Sequence, residues 1–158
     1  MRVVILTISD SVSQGVREDA SGPALRESCR QLGWDVVAES VLPDEQAIIR
    51  EQLISLADGG RAELILTTGG TGIGPRDTTP EATAEACQKL LPGSPEMMRE
   101  NGRKKNPRAA LSRGVAGVRG NVLIVNFPGS PRGATESLDA VASLLPHALE
   151  VLRGARHD

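Results

Sequence analysis

The sequence has 158 residues, 39% of them apolar, with Trp34 and Phe127 as its only aromatic side chains and 18 Lys and Arg set against 20 Asp and Glu, a formal net charge of −2. That length suits a single domain spanning residues 1–158 around an aliphatic core. Near-neutral charge and the scarcity of aromatic platforms argue against nucleic-acid binding, and no apolar run approaches the roughly 20 residues of a membrane span, so a cytoplasmic protein is expected.

Arg2–Ile8 is a short Val- and Ile-rich run, the pattern of a strand buried on both faces rather than of an export signal. Ser9–Ser21 reads as a polar loop, and Pro23–Gly33 as a helix carrying Ala24, Leu25, Cys29 and Leu32 on one face, stopped by Gly33. Val36–Leu42 is a second strand, and Glu45–Ala57 a helix with Ile48, Ile49, Leu53 and Leu56 aligned. Leu64–Thr68 is a third strand that ends abruptly in GGTGIG.

Thr79-Pro80, Ser94-Pro95 and Ser130-Pro131 each put a hydroxyl before a proline, the arrangement of a helix N-cap and first turn. Val115–Val118 reads as an edge strand that turns near Gly120 into Asn121–Phe127, and Pro131–Leu152 as a final helix that kinks or restarts at Pro146. Alternating strands and helices predict an α/β fold of three layers, α/β/α, with a mostly parallel sheet, helices on both faces and an antiparallel edge strand. Cys29 and Cys87 lack a C-x-x-C spacing and read as free thiols. His147 reads as a helix-face residue and His157 as part of a frayed tail.

Ligands of such sheets sit beyond the carboxyl ends of the strands, which directs attention to Thr67–Ala82, TTGGTGIGPRDTTPEA. Gly69, Gly70, Gly72 and Gly74 let consecutive backbone amides approach an anion, with Thr67, Thr68 and Thr71 as hydroxyl donors. The segment is neither a Walker A loop, lacking G-K-[ST], nor a dinucleotide fingerprint, since Pro75 replaces the third glycine. Asp77 lies on this loop and Asp44 at the end of the second strand. Two carboxylates beside a phosphate require a bridging cation, most simply Mg²⁺, or else Asp44 only caps the helix after it. Asn126–Ala134, NFPGSPRGA, repeats the pattern of strand end, turn and helix start. From Arg99 to Arg119 seven basic residues face Glu100 alone, either a substrate surface or a solvated face. Ser112 donates to a phosphate or caps a turn.

TTGGTG followed by RDTTPEAT, LPDEQAII at Leu42–Ile49, and LSRGVAG with NFPGSPRGA resemble the molybdenum-cofactor biosynthesis family, in particular its MogA/MoaB members and the equivalent G domains of plant and animal proteins. From VVILTISD onward the resemblance covers essentially the whole chain. It implies a molybdopterin adenylyltransferase, in which the terminal phosphate of molybdopterin attacks the α-phosphate of MgATP. It further implies that Asp44 and Asp77 serve Mg²⁺-dependent transfer and that Gly69, Gly70, Thr71 and Gly72 bind phosphate. Ser112, Pro128, Gly129 and Ser130 would line the pterin and nucleotide pocket, with Ser9 and Asp10 at its rim. A trimeric or hexameric homo-oligomer is implied, and a molybdate-inserting protein is the further partner it allows. MogA and MoaB are resembled about equally, which leaves a non-catalytic molybdopterin- or nucleotide-binding scaffold of the MoaB type as the alternative. A nucleotide pyrophosphatase, related through competence-damage-type domains, is a second alternative.

Overall fold

The computed structural model describes residues 1–155; His157 lies outside them. Strand β1 (Arg2–Ile8) is followed by a single helical turn α1 (Asp10–Ser13), helix α2 (Ser21–Gln31), β2 (Asp35–Leu42), α3 (Gln46–Asp58) and β3 (Leu64–Thr68). Next come α4 (Thr79–Ala86), a two-residue strand β4 (Lys89–Leu90), α5 (Gly93–Arg103), a 3-10 turn (Pro107–Leu111), β5 (Ala116–Arg119), β6 (Val122–Phe127), α6 (Pro131–Val141) and α7 (Leu144–Leu152). The sheet runs β2-β1-β3-β6-β5-β4, parallel through β6 and antiparallel at β5 and β4. This is the expected mostly parallel α/β sheet with an antiparallel edge.

Alternation within the buried strands builds two cores. Val3 and Ile5 of β1, Leu64 and Leu66 of β3 and Leu123, Val125 and Phe127 of β6 face α2, α6 and α7. Val4, Leu6 and Ile8, with Ile65, Val122 and Ile124, face α3 and α4 through Ile49, Leu53, Ala82 and Ala86. Each fully buried aliphatic side chain contributes about 1.5–3 kcal/mol, so a covering helix is held on either face and the strands read as unbroken apolar runs.

The local differences have physical causes. The expected loop Ser9–Ser21 contains α1 because the Ser9 hydroxyl accepts from the Val12 amide at 3.3 Å. Helix α2 begins at Ser21 because the Asp19 carboxylate accepts from the Gly22 amide at 3.0 Å. Of the three hydroxyl-proline pairs only Ser130 caps, accepting from Gly133 N at 3.0 Å; Thr79 is already helical, and α5 starts at Gly93, one residue before Ser94. Gly120, at φ +55°, turns β5 into β6 as expected. The last helix breaks at Ala142-Ser143, ahead of Pro146, and His147 lies on the exposed face of α7 near Glu150. Both cysteines are free, and burial pushes each thiol up to about 11.

Candidate active site

Strand register gathers the site. Ile8 pairs with Leu42, Thr7 with Thr68, and Thr68 with Phe127, so the segments leaving β1, β2, β3 and β6 emerge along one edge. There Ser9, Asp44, Gly69, Gly70, Asp77, Gly129 and Ser130 line a cavity of 660 Å³.

Asp44 is positioned by Asp10. The Asp10 amide donates to Asp44 Oδ2 at 2.9 Å, and the Asp44 amide donates to Asp10 Oδ1 at 3.0 Å. Arg76 closes on Asp10 with a fork, Nε to Oδ2 at 3.0 Å and Nη2 to Oδ1 at 3.1 Å. Asp44 does not cap the helix that follows it: α3 is entered through Glu45 without a side-chain cap, and the Asp44 carboxylate serves the first amide of α1 instead. Asp77 lies across the cavity wall, its Oδ2 accepting from the Gly74 amide at 2.9 Å.

These surroundings separate the carboxylates. Hydrogen bonds from Arg76, helped by the Asp44 amide, hold the Asp10 carboxyl below its ordinary value. Burial pushes the Asp44 carboxyl up, and the charges of Asp10 and Asp77 add to the rise against the opposing Asp10 amide. Asp44 thus lies in a half-buried concentration of negative charge that a cation would relieve. Among the described residues no three His, Cys, Asp or Glu side chains group to hold a metal, so a cation at Asp44 and Asp77 needs further oxygens from a phosphate or water, the habit of Mg²⁺.

The glycine loop is narrower as an anion cradle than its sequence suggests. The Gly69 amide donates to Phe127 O at 3.1 Å and that of Gly74 to Asp77, whereas the amides of Gly70, Thr71 and Gly72 have no acceptor among the described residues. Three successive unspent donors at a strand end suit an anion. The strand threonines are not available: both are fully buried, Thr67 Oγ1 accepting from Asn126 Nδ2 at 2.9 Å and Thr68 Oγ1 spending its proton on Pro128 O at 2.7 Å. Gly69 (φ +105°) and Gly70 (φ +66°) hold conformations that side chains resist. A Cβ on Gly69 would overlap the Ile8 carbonyl oxygen, and one on Gly70 would overlap Thr79 Oγ1 while coming within 3.0 Å of Asp44 Oδ1.

A second cavity, of 450 Å³, adjoins the first across Ser130, which lines both. Ser112 and Pro128 face it together with Arg99, Lys105, Arg108 and Arg132. The basic stretch therefore divides: Arg99, Lys105 and Arg108 reach this cavity, Arg119 forks onto Asp58 at 2.9 Å, and Arg113 turns to the glycine loop. Asp10, Thr71 and Gly72 line neither cavity; Asp10 acts through Asp44 and Arg76, and the other two offer carbonyls to Arg113.

Three participants escape the motif reading. Asp19 lines the larger cavity and accepts from Thr7 Oγ1 at 2.7 Å. Arg76 goes unmarked beside Asp77, although a cation next to two carboxylates is itself a signal. Asn126, a lone polar residue in an apolar strand, donates to both Thr67 and Thr83 at 2.9 Å.

The family model described as "Probable molybdopterin binding domain" matches residues 4–147. The chain belongs to that molybdopterin-binding family. Among its relatives, a protein of Helicobacter pylori (strain J99) named molybdopterin adenylyltransferase is 40% identical over 156 residues, 98% of this chain and 89% of that one. The Escherichia coli K12 protein of the same name is 40% identical over 144 residues, 89% of this chain and 73% of its own. A solved structure of the molybdopterin biosynthesis enzyme MoaB from Thermus thermophilus is 50% identical, covers 99% of both chains and superposes with a TM-score of 0.91. Members of both the adenylyltransferase and the MoaB kind thus share this family fold. Among the described residues no helix is long and apolar enough to cross a membrane.

Proposed function

We propose that this molybdopterin-binding family member is a molybdopterin adenylyltransferase, acting as one domain over residues 1–158 in a cytoplasmic homo-oligomer. The observation that carries the reading is the meeting of two cavities at Ser130, one bearing Asp44, Asp77 and the glycine loop, the other four basic side chains. MgATP suits the first, because the unspent amide of Gly70 at its lining favours phosphate, the loop continues from it through two more unspent amides, and paired carboxylates favour the accompanying Mg²⁺. Molybdopterin, with its terminal phosphate, suits the basic second cavity. The relatives named for this activity support the assignment.

In the reaction an oxygen of the molybdopterin phosphate attacks the α-phosphorus of ATP, one P–O bond forms, and the bond to the β-phosphate breaks to release pyrophosphate. The attacking phosphate is already ionised at neutral pH, so the protein has to position and neutralise two anions more than to move a proton. Mg²⁺ held by Asp44 and Asp77 would offset phosphate charge as the bond shifts. Asp10 and Arg76 orient Asp44, the Gly70 amide at the cavity lining holds a phosphate oxygen, and Ser130 with its helix start lies between donor and acceptor. Ser9 and Gly129 close the nucleotide cavity, and Ser112 and Pro128 wall the pterin side.

Incubation with molybdopterin, ATP and Mg²⁺, following adenylyl-molybdopterin and pyrophosphate, tests the reading. Product formation that stops without Mg²⁺ supports it. Pterin binding with no product favours the scaffold reading, to which the 50% identity with MoaB lends weight. AMP release without pterin favours a pyrophosphatase. A molybdate-inserting protein remains the partner to which the adenylylated product would pass.

A further inference from the structure

One arginine of the basic stretch turns away from the cavity that its neighbours line. Arg113 donates its amide to Thr71 O at 2.8 Å, Nε to Gly72 O at 2.7 Å and Nη2 to Asp77 O at 2.8 Å, and its guanidinium pairs with Glu81 on α4. A single residue entering from the far side of the site thus holds three carbonyls of the glycine loop. In a trans peptide the C=O and N–H point in opposite directions, so gripping the Thr71 and Gly72 carbonyls turns the Gly72 and Ile73 amides away from Arg113. The bond to Asp77 O fixes the backbone from which that carboxylate projects.

The grip is itself anchored from the second cavity. Arg99, which lines it, donates Nη1 to Ser112 O at 3.3 Å and to Gly114 O at 3.1 Å, the carbonyls on either side of Arg113. The strap Ser112–Gly114 therefore touches the basic cavity on one side and holds the nucleotide loop on the other.

We propose that Arg113 is a positioning residue for adenylyl transfer, setting the loop amides and the Asp77 carboxylate for Mg-nucleotide and tying that geometry to the pterin-side cavity through the strap held by Arg99. The proposal rests on the transferase reading for its reaction, though not for its geometry. Only arginine meets the geometry, since a planar fork reaches two carbonyls and a carboxylate at once, whereas the single ammonium of lysine serves the charge without the fork.

The test compares wild type with Arg113→Lys, Arg113→Gln and Glu81→Gln. ATP binding is followed by calorimetry across a Mg²⁺ titration, adenylylated molybdopterin is assayed, and folding is checked by thermal unfolding. In Arg113→Lys the Mg²⁺ concentration for half-maximal ATP binding should rise about tenfold and kcat fall about 100-fold, with the KM for molybdopterin within about twofold. Glu81→Gln, which keeps the three carbonyl bonds, should lose less than about threefold. A folded Arg113→Lys with an unchanged Mg²⁺ requirement overturns the proposal, as does loss of molybdopterin affinity in proportion to kcat. Should Arg113→Gln fail to fold, the lysine variant decides. A wild type that binds Mg-ATP yet adenylylates no pterin defeats the transferase reading instead, and the Mg²⁺ titration then decides Arg113 alone.

Discussion

Asp10 and Asp44 are latched together by reciprocal bonds, each backbone amide donating to the other's carboxylate, at 2.9 and 3.0 Å. The latch joins the loops after β1 and β2, and the Arg76 fork onto Asp10 brings in the loop after β3. Because Arg76 compensates Asp10, Asp44 is left as the carboxylate whose ionisation burial disfavours. Asp44→Asn keeps an oxygen for the Asp10 amide and removes that strained charge. An acid whose folded pKa is raised costs stability while ionised, so at neutral pH the variant should unfold about 2 °C higher and turn over about 100- to 1000-fold more slowly. Calorimetric melting beside the transferase assay checks both, and a variant that is less stable but equally active would contradict the role given to the charge.

Asp77→Asn isolates the second carboxylate. Its oxygen can still accept from Gly74, so the loop should keep its shape, and the loss should fall on kcat by about 100-fold or more while molybdopterin affinity stays within about threefold. Titration of molybdopterin by fluorescence, set against initial rates, separates the two effects. Equal losses in both would remove Asp77 from the chemistry.

Gly69→Ala tests the backbone of the loop. At φ +105° any side chain is strained, and the added carbon would overlap the Ile8 carbonyl oxygen at the end of β1. Destabilisation should exceed about 1 kcal/mol, with ATP binding lost in whatever fraction folds. Gly120→Ala, at φ +55° with nothing within 4 Å of its new carbon, should show strain without loss of binding.

Glu63 supplies a pH dependence away from the site. It accepts from the Arg2 amide at 2.7 Å and pairs with Arg153 beyond α7, and the Arg2 bond in particular holds its carboxyl below the ordinary 4.5. A depressed folded pKa gives stability that is present above the unfolded value and is lost as pH falls through the folded one. Glu63→Gln should therefore cost about 1 kcal/mol at pH 7, a difference that closes below pH 4.5. Urea titrations of both proteins across that range measure it, and a gap that widens in acid would reverse the sign.

The strands and the strand-end loops were legible because an unbroken apolar run that stops at glycine or proline is a local pattern, as in Leu64–Gly70 and Val122–Gly129. Partnerships that depend on register were not. Arg76 lies beside Asp77 in sequence yet serves Asp10, 66 residues away, and nothing local selects that carboxylate. The basic stretch announced its charge without saying which members face a cavity, since that depends on how the 3-10 turn and the strap fold back. β4, at two residues, is too short for any periodicity to mark it. The hydroxyl-proline rule failed at Thr79 and Ser94 because both helices have already begun there, α4 at Thr79 itself and α5 at Gly93, which leaves Thr79 Oγ1 buried without a partner.

Asn126 joins fold to site. Its Nδ2 donates to Thr67 Oγ1 on β3 and Thr83 Oγ1 on α4, each at 2.9 Å, and its Oδ1 accepts from the Val115 amide at 3.1 Å. It is 1% exposed, so its truncation cannot be answered by bulk water. Asn126→Ala should therefore leave the Val115 amide and two hydroxyls unsatisfied at a cost of about 2–4 kcal/mol. Asn126→Asp keeps the acceptor for Val115 but buries a charge, and it should be worse above its raised pKa than in mild acid. The damage should reach the site as well: Val115 N and O both bond Asn126, one residue beyond the strap, so loss of this contact loosens Gly114 and with it the carbonyl held by Arg99. Hydrogen exchange of the Val115 and Arg113 amides reads that effect directly, and protection kept at Arg113 while it is lost at Val115 would show that Arg99 alone secures the strap.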